Sequence, residues 1–249
     1  MSPEALTLVS PSNGIPPELA AEIEHQASVL DQADPEVILA WAAQRFGSGL
    51  TMATAFGVEG CLILHFLSKV APATRVFNLD TGYQFVQTLL VRDRIRQKYG
   101  IDVELVRPAT TVADYEREHG GPLHRHRPDQ CCHDRKVIPL RRAVSGYSAW
   151  ISGIRADETA HRARGRVVQW DAKFGLVKVN PLIHWTRKKV WTAVIGWGVP
   201  YNELHDQGYD SIGCEPCTVP GEGREGRWGG QAKKECGLHV QEHEGGSGI

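Results

Sequence analysis

LTMATAFGVEGCLILHFLSKVAPATRVFNLDTGY (residues 50–83) is the stretch that decides the fold. LTMATAF (50–56) has the length and composition of a buried strand, and the small turn GVEG follows it. In CLILHFLSKV, Ile63, Phe66, Leu67 and Val70 recur at i, i+3, i+4 and i+7, which places them on one face of a helix. TRVFNLD (74–80) reads as a second strand that ends in the polar turn Asp80-Thr81-Gly82. Strand, helix, strand is the unit from which parallel sheets are built.

The same alternation continues on both sides. A helix is expected over 83–98, a third strand at IDVELV (101–106) and a fourth at AWISGI (149–154). VVQWD and LVKVNPLI predict a hairpin around Ala172–Gly175, and TRKKVWTAVIGWG (186–198) predicts a helix. Two helices are expected upstream, at 17–30 and 35–46, the second opened by Asp34 as N-cap with Pro35 at the first helical position. CCHDRKVIPLRRAV predicts a helix from about 130 to 145 with an irregularity at Pro139. The expected class is α/β: one domain with a mostly parallel twisted sheet flanked by helices. Residues 1–16 read as a loose N-terminal arm, 17–212 as the α/β nucleotide-binding domain, and 213–249 as a second cysteine pair followed by a flexible, Gly-rich tail.

Composition narrows the function. With 28 Lys and Arg against 29 Asp and Glu the net charge is −1, which argues against a general nucleic-acid or membrane coat. Hydrophobic residues make up 41% of the 249, enough for a sizeable core. No apolar run reaches the length of a membrane span, and the amino terminus lacks the basic-then-apolar pattern of a signal peptide. A cytoplasmic, reducing location is therefore expected, and there metal binding or catalysis outranks disulfides as the reason for six cysteines.

Four cysteines form two close pairs, Cys131-Cys132 and Cys214-x-x-Cys217. Zinc takes spaced cysteines that wrap one tetrahedral ion, whereas adjacent side chains diverge in both helix and strand. A cubane iron–sulfur cluster offers each thiolate its own iron. Thiolate chemistry alone leaves three readings open: a cluster, zinc, or a buried or redox pair. Cys236 stands apart in KKECGLH, where cationic neighbours would lower its pKa, although an ordinary surface cysteine fits the same spacing. Cys61 lies in an apolar helix and reads as core, and the histidines of HRHR (124–127) read as exposed.

Two turns could hold an anion. Gly57 and Gly60, after the first strand, would let backbone N–H groups approach it at a helix start, although a plain strand-to-helix turn explains the motif too. Asp80-Thr81-Gly82 ends the second strand, and ligands of open α/β sheets bind outside such ends. Arg155, Arg162, Arg224 and Arg227 lie in loops, and Lys136 follows the first cysteine pair by four residues. Each could be a solvated surface charge, yet guanidinium forks suit phosphate and sulfate.

From about residue 37 to 240 these motifs together resemble the assimilatory adenylyl-sulfate and phosphoadenylyl-sulfate reductase family. ATAFGVEG resembles its modified pyrophosphate loop, LDTGY its second nucleotide turn, SGIRADETAHRA its arginine loop and KKECGLH its carboxy-terminal catalytic motif. CCHDRKVIPL with GCEPC is similar to the branch that carries a [4Fe-4S] cluster and prefers adenosine 5′-phosphosulfate (APS). The branch without these cysteines uses the 3′-phosphorylated substrate (PAPS). Ala55 stands where many relatives carry serine; backbone donors from Phe56 and Gly57 are expected to remain.

The resemblance implies an adenine-nucleotide-hydrolase-like, Rossmann-like fold and thioredoxin-dependent reduction of APS to sulfite and AMP during sulfate assimilation. It implies Cys236 as nucleophile, Cys131, Cys132, Cys214 and Cys217 as cluster ligands, and no nucleic-acid or membrane partner. The substrate is expected to meet Thr54, Phe56, Gly57, Leu79, Asp80, Thr81, Gly82, Lys136, Gly153, Arg155, Arg162, Arg224, Arg227 and His239. Three other classes compete: a PAPS reductase, an ATP pyrophosphatase that adenylates its substrate, and an iron–sulfur sensor or zinc-stabilised module. The pyrophosphatase lacks its SGGxDS loop here, and neither it nor the sensor gives Cys236 a role. A homo-oligomer is compatible with all of them.

Overall fold

The computed structural model describes residues 15–228, Lys233 and residues 235–239. The expected N-terminal arm lies almost wholly outside the described residues, as do residues 229–232, 234 and 240–249 of the expected tail.

Six strands, β1 (Leu50–Ala53), β2 (Arg75–Leu79), β3 (Val103–Val106), β4 (Ala149–Ile151), β5 (Val168–Asp171) and β6 (Leu176–Val179), form one sheet in the order β3-β2-β1-β4-β6-β5. The pairs β1–β2, β1–β4, β2–β3 and β4–β6 are parallel, and β5 returns antiparallel on β6 as the expected hairpin. Helices α1 (Pro17–Val29), α2 (Pro35–Phe46), α3 (Val58–Val70) and α4 (Val86–Tyr99) precede β3. The short α5 (Val112–Glu118), α6 (Leu123–His126), α7 (Pro128–Cys132) and α8 (Ile138–Ala143) lie between β3 and β4, and α9 (Arg187–Gly196) follows β6. The α/β class and the mostly parallel sheet are as expected. Helices α5 and α6 were not expected from the sequence, because their short, polar stretches carry no periodic apolar face.

Local chemistry sets the boundaries. The apolar run 50–56 leaves the sheet after Ala53, because Phe56 takes a left-handed backbone (φ 55°) that no strand can continue. The expected irregularity near Pro139 is a π-helical turn over His133–Val137, between α7 and α8. Pro139 has no N–H for the carbonyl four residues back, so the hydrogen-bond ladder slips just ahead of it.

The main core packs α1–α3 and α9 against the sheet through Leu39, Met52, Ile63, Leu64, Val179 and Val190. A second, smaller core joins Leu140 and Val144 to Phe77, Leu79, Trp150 and Leu176, and Leu238 from the far end of the chain packs against it. No helix among the described residues is long and apolar enough to cross a membrane.

Candidate active site

Strands β1 and β4 are neighbours whose connections lead to opposite sides of the sheet. Such a switch point opens a crevice at the carboxyl ends of the strands. A cavity of about 340 Å³ lies there, lined from both strand ends. That volume is in the range of small-molecule sites, about 300–1,000 Å³.

The floor is the turn after β1. Thr54 Oγ1 accepts the Phe56 N–H at 3.0 Å and so holds the left-handed turn. This takes up one of the two backbone donors expected for a ligand, leaving Gly57. Gly57 is the N-cap of α3 and no side chain caps that end, so the first-turn amides of α3 face the cavity as anion donors. Two glycines permit the close packing around it. A Cβ on Gly60 would stand 2.6 Å from Thr54 Oγ1, and one on Gly153, in the loop after β4, 3.3 Å from the Gly60 nitrogen.

The walls are cationic. Lys136, Arg155, Arg162, Arg224 and Arg227 all line the cavity, together with Thr54, Leu79, Thr81, Cys236 and His239. The arginines are held by specific partners. Arg155 contacts Glu59 and donates from Nε to Asp157 at 2.9 Å. Arg162 donates to Glu158 at 2.6 Å and, through Nε and Nη2, to Glu235 at 2.8 and 3.0 Å. Arg224 reaches Glu235 at 3.4 Å. Arg227 donates to Ser211 at 3.2 Å and lies 4.6 Å from the Trp228 ring centre.

Three expected contacts fall elsewhere. Phe56, Asp80 and Gly82 do not line this cavity. Phe56 is buried beneath its own turn. Asp80 accepts the Gly82 N–H at 3.0 Å and Arg107 Nε at 2.8 Å, which braces the turn from behind. Gly82 supplies a positive φ of 77° at a point where a Cβ would strike Val112.

That turn leads to the cysteines. Cys131, Cys132, Cys214 and Cys217 line a second, small cavity with Lys136 and Arg227 in its wall. Thr81 Oγ1 lies 3.3 Å from Cys214 Sγ, and the Glu215 N–H donates to the Tyr83 carbonyl at 2.7 Å, so the Cys-x-x-Cys segment is pinned to the nucleotide turn. The π-helical turn carries Lys136 to the partition between the two cavities, and Lys136 lines both. Burial, then repulsion from the other thiols, raises Cys131 to about 12. Four cysteines lining one small cavity suit a cationic, thiophilic group, and the chemistry of this donor set fits an iron–sulfur cluster. Among the described residues no three His, Cys, Asp or Glu side chains converge on one ion. His124 is half-buried, against expectation: it packs edge-on against Tyr83 at 5.2 Å and joins this wall, while Arg125, His126 and Arg127 are exposed.

Residues 235–239 return over the large cavity. Glu235 sits on Arg162 and Arg224, the Gly237 carbonyl accepts Lys173 Nζ at 2.9 Å, and Leu238 meets the second core. His239 accepts His161 Nε2 on its carbonyl at 2.7 Å and stacks on Trp150, with ring centres 5.9 Å apart and planes 5° apart. Cys236 lies between these anchors, half-buried. Burial would raise its thiol, but Lys136, the Leu238 N–H and Arg227 outweigh burial and Glu235, and the pKa falls below the ordinary value. Burial and the nearby Lys178 and Arg162 hold the His239 ring neutral. Glu235, Lys173, Lys178 and His161 were not singled out from the sequence. Glu235 lies within the flagged motif KKECGLH, and Lys178 interrupts an apolar strand, LVKV; those were the available signals.

Fold and site together define an α/β protein with a cation-walled cavity at the carboxyl ends of its central strands and a thiol in the cavity lining. Residues 49–220 match the phosphoadenosine phosphosulfate reductase domain, and the chain belongs to that family. It is 45% identical over 225 residues to a Gloeobacter violaceus protein named phosphoadenosine 5′-phosphosulfate reductase, covering 88% of this chain and 93% of that one. It is 45% identical over 207 residues to a Bacillus pumilus protein named adenosine 5′-phosphosulfate reductase, covering 81% and 89%. Among solved structures, a phosphoadenylyl-sulfate reductase from Candida auris, crystallised as a phosphate complex, superposes with a TM-score of 0.72 at 30% identity, over 83% of this chain and 98% of that one. Candida glabrata FMN adenylyltransferase shares the fold at a TM-score of 0.54 and 14% identity, over 82% of this chain and 73% of that one.

Proposed function

We propose that the protein reduces adenosine 5′-phosphosulfate to sulfite and AMP in sulfate assimilation, with Cys236 as nucleophile and thioredoxin as reductant. The observation that carries this reading is Cys236 itself: a thiol with a depressed pKa, held in a cation-walled cavity at the nucleotide end of the sheet. The thiolate attacks the sulfur of the sulfate group; the S–O bond to the phosphate breaks, AMP leaves, and Cys236 carries a sulfo group. A thioredoxin thiolate then attacks Cys236 Sγ, sulfite leaves with the S–S electron pair, and a mixed disulfide forms. The second thioredoxin thiol resolves it, so the two electrons that reduce sulfur come from the thioredoxin dithiol.

Each part of the cavity has a task in this scheme. The α3 amides at Gly57, with Thr54, Leu79, Thr81 and Gly153, seat the nucleoside and its phosphate. Lys136, Arg162, Arg224 and Arg227 neutralise charge on the phosphate and sulfate oxygens, most of all as AMP departs. Arg155, tied to Glu59 and Asp157, orders the loop after β4 as well as adding charge. His239 orients the tail and the transferring group without moving a proton.

Cys131, Cys132, Cys214 and Cys217 would hold a [4Fe-4S] cluster. Bound there, such a cluster supplies charge beside Lys136 and order to the pocket, while the two displacements need no electron from it. The family resemblance supports thioredoxin and a cytoplasmic setting.

A second reading, reduction of the 3′-phosphorylated nucleotide, is favoured by the name of the Gloeobacter relative. Sulfite release by anaerobically purified protein, with thioredoxin and each nucleotide in turn, tests the choice. A higher kcat/KM for the unphosphorylated substrate is expected; a preference for the 3′-phosphorylated one would reverse it, and no sulfite from either would sink the function.

A further inference from the structure

Lys178 is a buried amine with no task in the mechanism above. It lies on β6 and is only 2% exposed. It is the register partner of Trp150 on β4, so the two side chains leave the same face of the sheet side by side. Its Nζ stands 5.1 Å from the Trp150 ring centre and 3.1 Å from Nδ1 of His239. Asp171, on β5, accepts Trp150 Nε1 at 3.2 Å and supplies the balancing carboxylate. Arg162 and Glu235 also face this group.

A lysine in the middle of an otherwise apolar strand is costly to bury. The strand neighbours in LVKV are Val and Leu, and a methionine would fill the same space, so within the sheet the ammonium's counterpart is the buried Asp171. What the ammonium does is donate, and only donate. Nδ1 of His239 must then accept, which leaves the ring proton on Nε2. The ring so fixed lies flat on Trp150, while Lys173, five residues earlier in the same hairpin, holds the Gly237 carbonyl.

We propose that Lys178 is a positioning residue for the catalytic tail: by donating to His239 Nδ1 it docks that ring on Trp150, sets the Nε2–H tautomer, and so holds Cys236 inside the cavity. The consequence for catalysis rests on Cys236 being the nucleophile; the docking does not.

The test reads docking directly. Iodoacetamide is applied to the cluster-loaded holoenzyme saturated with AMP, and the Cys236 peptide is quantified by mass spectrometry in wild type, Lys178→Met and Lys178→Gln. Lys178→Met should raise the alkylation rate about tenfold, the scale of one lost hydrogen bond to a charged group, with AMP affinity within about twofold of wild type. Lys178→Gln, which keeps a donor, should recover most of the protection. Equal rates in wild type and Lys178→Met, or no recovery in Lys178→Gln, would overturn the proposal. Because a variant can fail to fold, ¹⁵N-histidine NMR of the AMP-bound wild type provides a second arm. It should show His239 protonated on Nε2, and a ring protonated on Nδ1 would overturn the proposal without any substitution. In sulfite release Lys178→Met should lower kcat and leave KM near wild type. Lysine-dependent protection in a protein that never carries sulfite would reject the nucleophile and keep the docking; the converse result would do the reverse.

Discussion

Glu235 bonds to Arg162 through both of its oxygens, at 2.8 and 3.0 Å, one residue before the thiol at Cys236. The acid of the tail therefore sits on an arginine of the cavity wall, and Arg224 approaches the same carboxylate at 3.4 Å. Burial would push Glu235 up, but Arg162 and then Arg224 keep it below the usual carboxylate range, so it stays charged at neutral pH.

Removing that charge should loosen the tail. Glu235→Gln is expected to speed iodoacetamide modification of Cys236 in the ligand-free protein by about tenfold, the scale of one charge-assisted hydrogen bond. Peptide mass spectrometry checks it, and an unchanged rate would mean that Glu235 does not anchor the tail.

The depressed thiol predicts a pH profile. Cys236 is nucleophilic only as thiolate, so its alkylation rate should fall as pH drops through its pKa, with a midpoint below that of an ordinary thiol. Lys136 is the largest influence that lowers this pKa. Lys136→Met should therefore move the midpoint to higher pH and slow the reaction most at neutral pH. A midpoint that stays in place would remove Lys136 from the electrostatics of the thiol.

The cysteine cavity predicts iron. Anaerobically purified wild type should be coloured and carry iron and sulfide, and Cys→Ser at 131, 132, 214 or 217 should each lower iron content with loss of the visible absorption. Full iron in any one of these variants would take that residue out of the ligand set.

Gly60 predicts a steric effect on ligand binding. Gly60→Ala would place a Cβ 2.6 Å from Thr54 Oγ1, the atom that holds the left-handed turn at Phe56. Moving that turn disturbs the amides at the head of α3. AMP affinity, measured by calorimetry, should fall by about tenfold, at the low end of overpacking costs of about 1–3 kcal/mol. Wild-type affinity in this variant would argue against the turn as the anion seat.

How far the sequence reached depends on the kind of signal. The sheet was legible because its strands and α3 carry unbroken or periodic apolar runs, as in Ile63, Phe66 and Leu67. Arg162, Arg224 and Cys236 were legible because charge and thiols in loops are chemically conspicuous, Lys136 because it follows a cysteine pair, and the structure gathers them around one cavity. Asp80 and Gly82 belonged to a legible motif yet brace the turn from outside the cavity, a distinction that needs side-chain directions. Lys178 and Asp171 were passed over because they stand one and two strands away from Trp150. Only the register of β4, β5 and β6 brings them to Trp150 and His239. The π-helical turn that aims Lys136 was visible only through Pro139.

The central claim is that Cys236 takes the sulfo group from the nucleotide before any reductant acts. Intact-protein and peptide mass spectrometry of the wild type mixed with adenosine 5′-phosphosulfate alone, without thioredoxin, tests it most directly. The account predicts one added SO₃ on the Cys236 peptide, none in Cys236→Ser, and its release as sulfite once thioredoxin is supplied. No adduct, or an adduct that persists in Cys236→Ser, would contradict it.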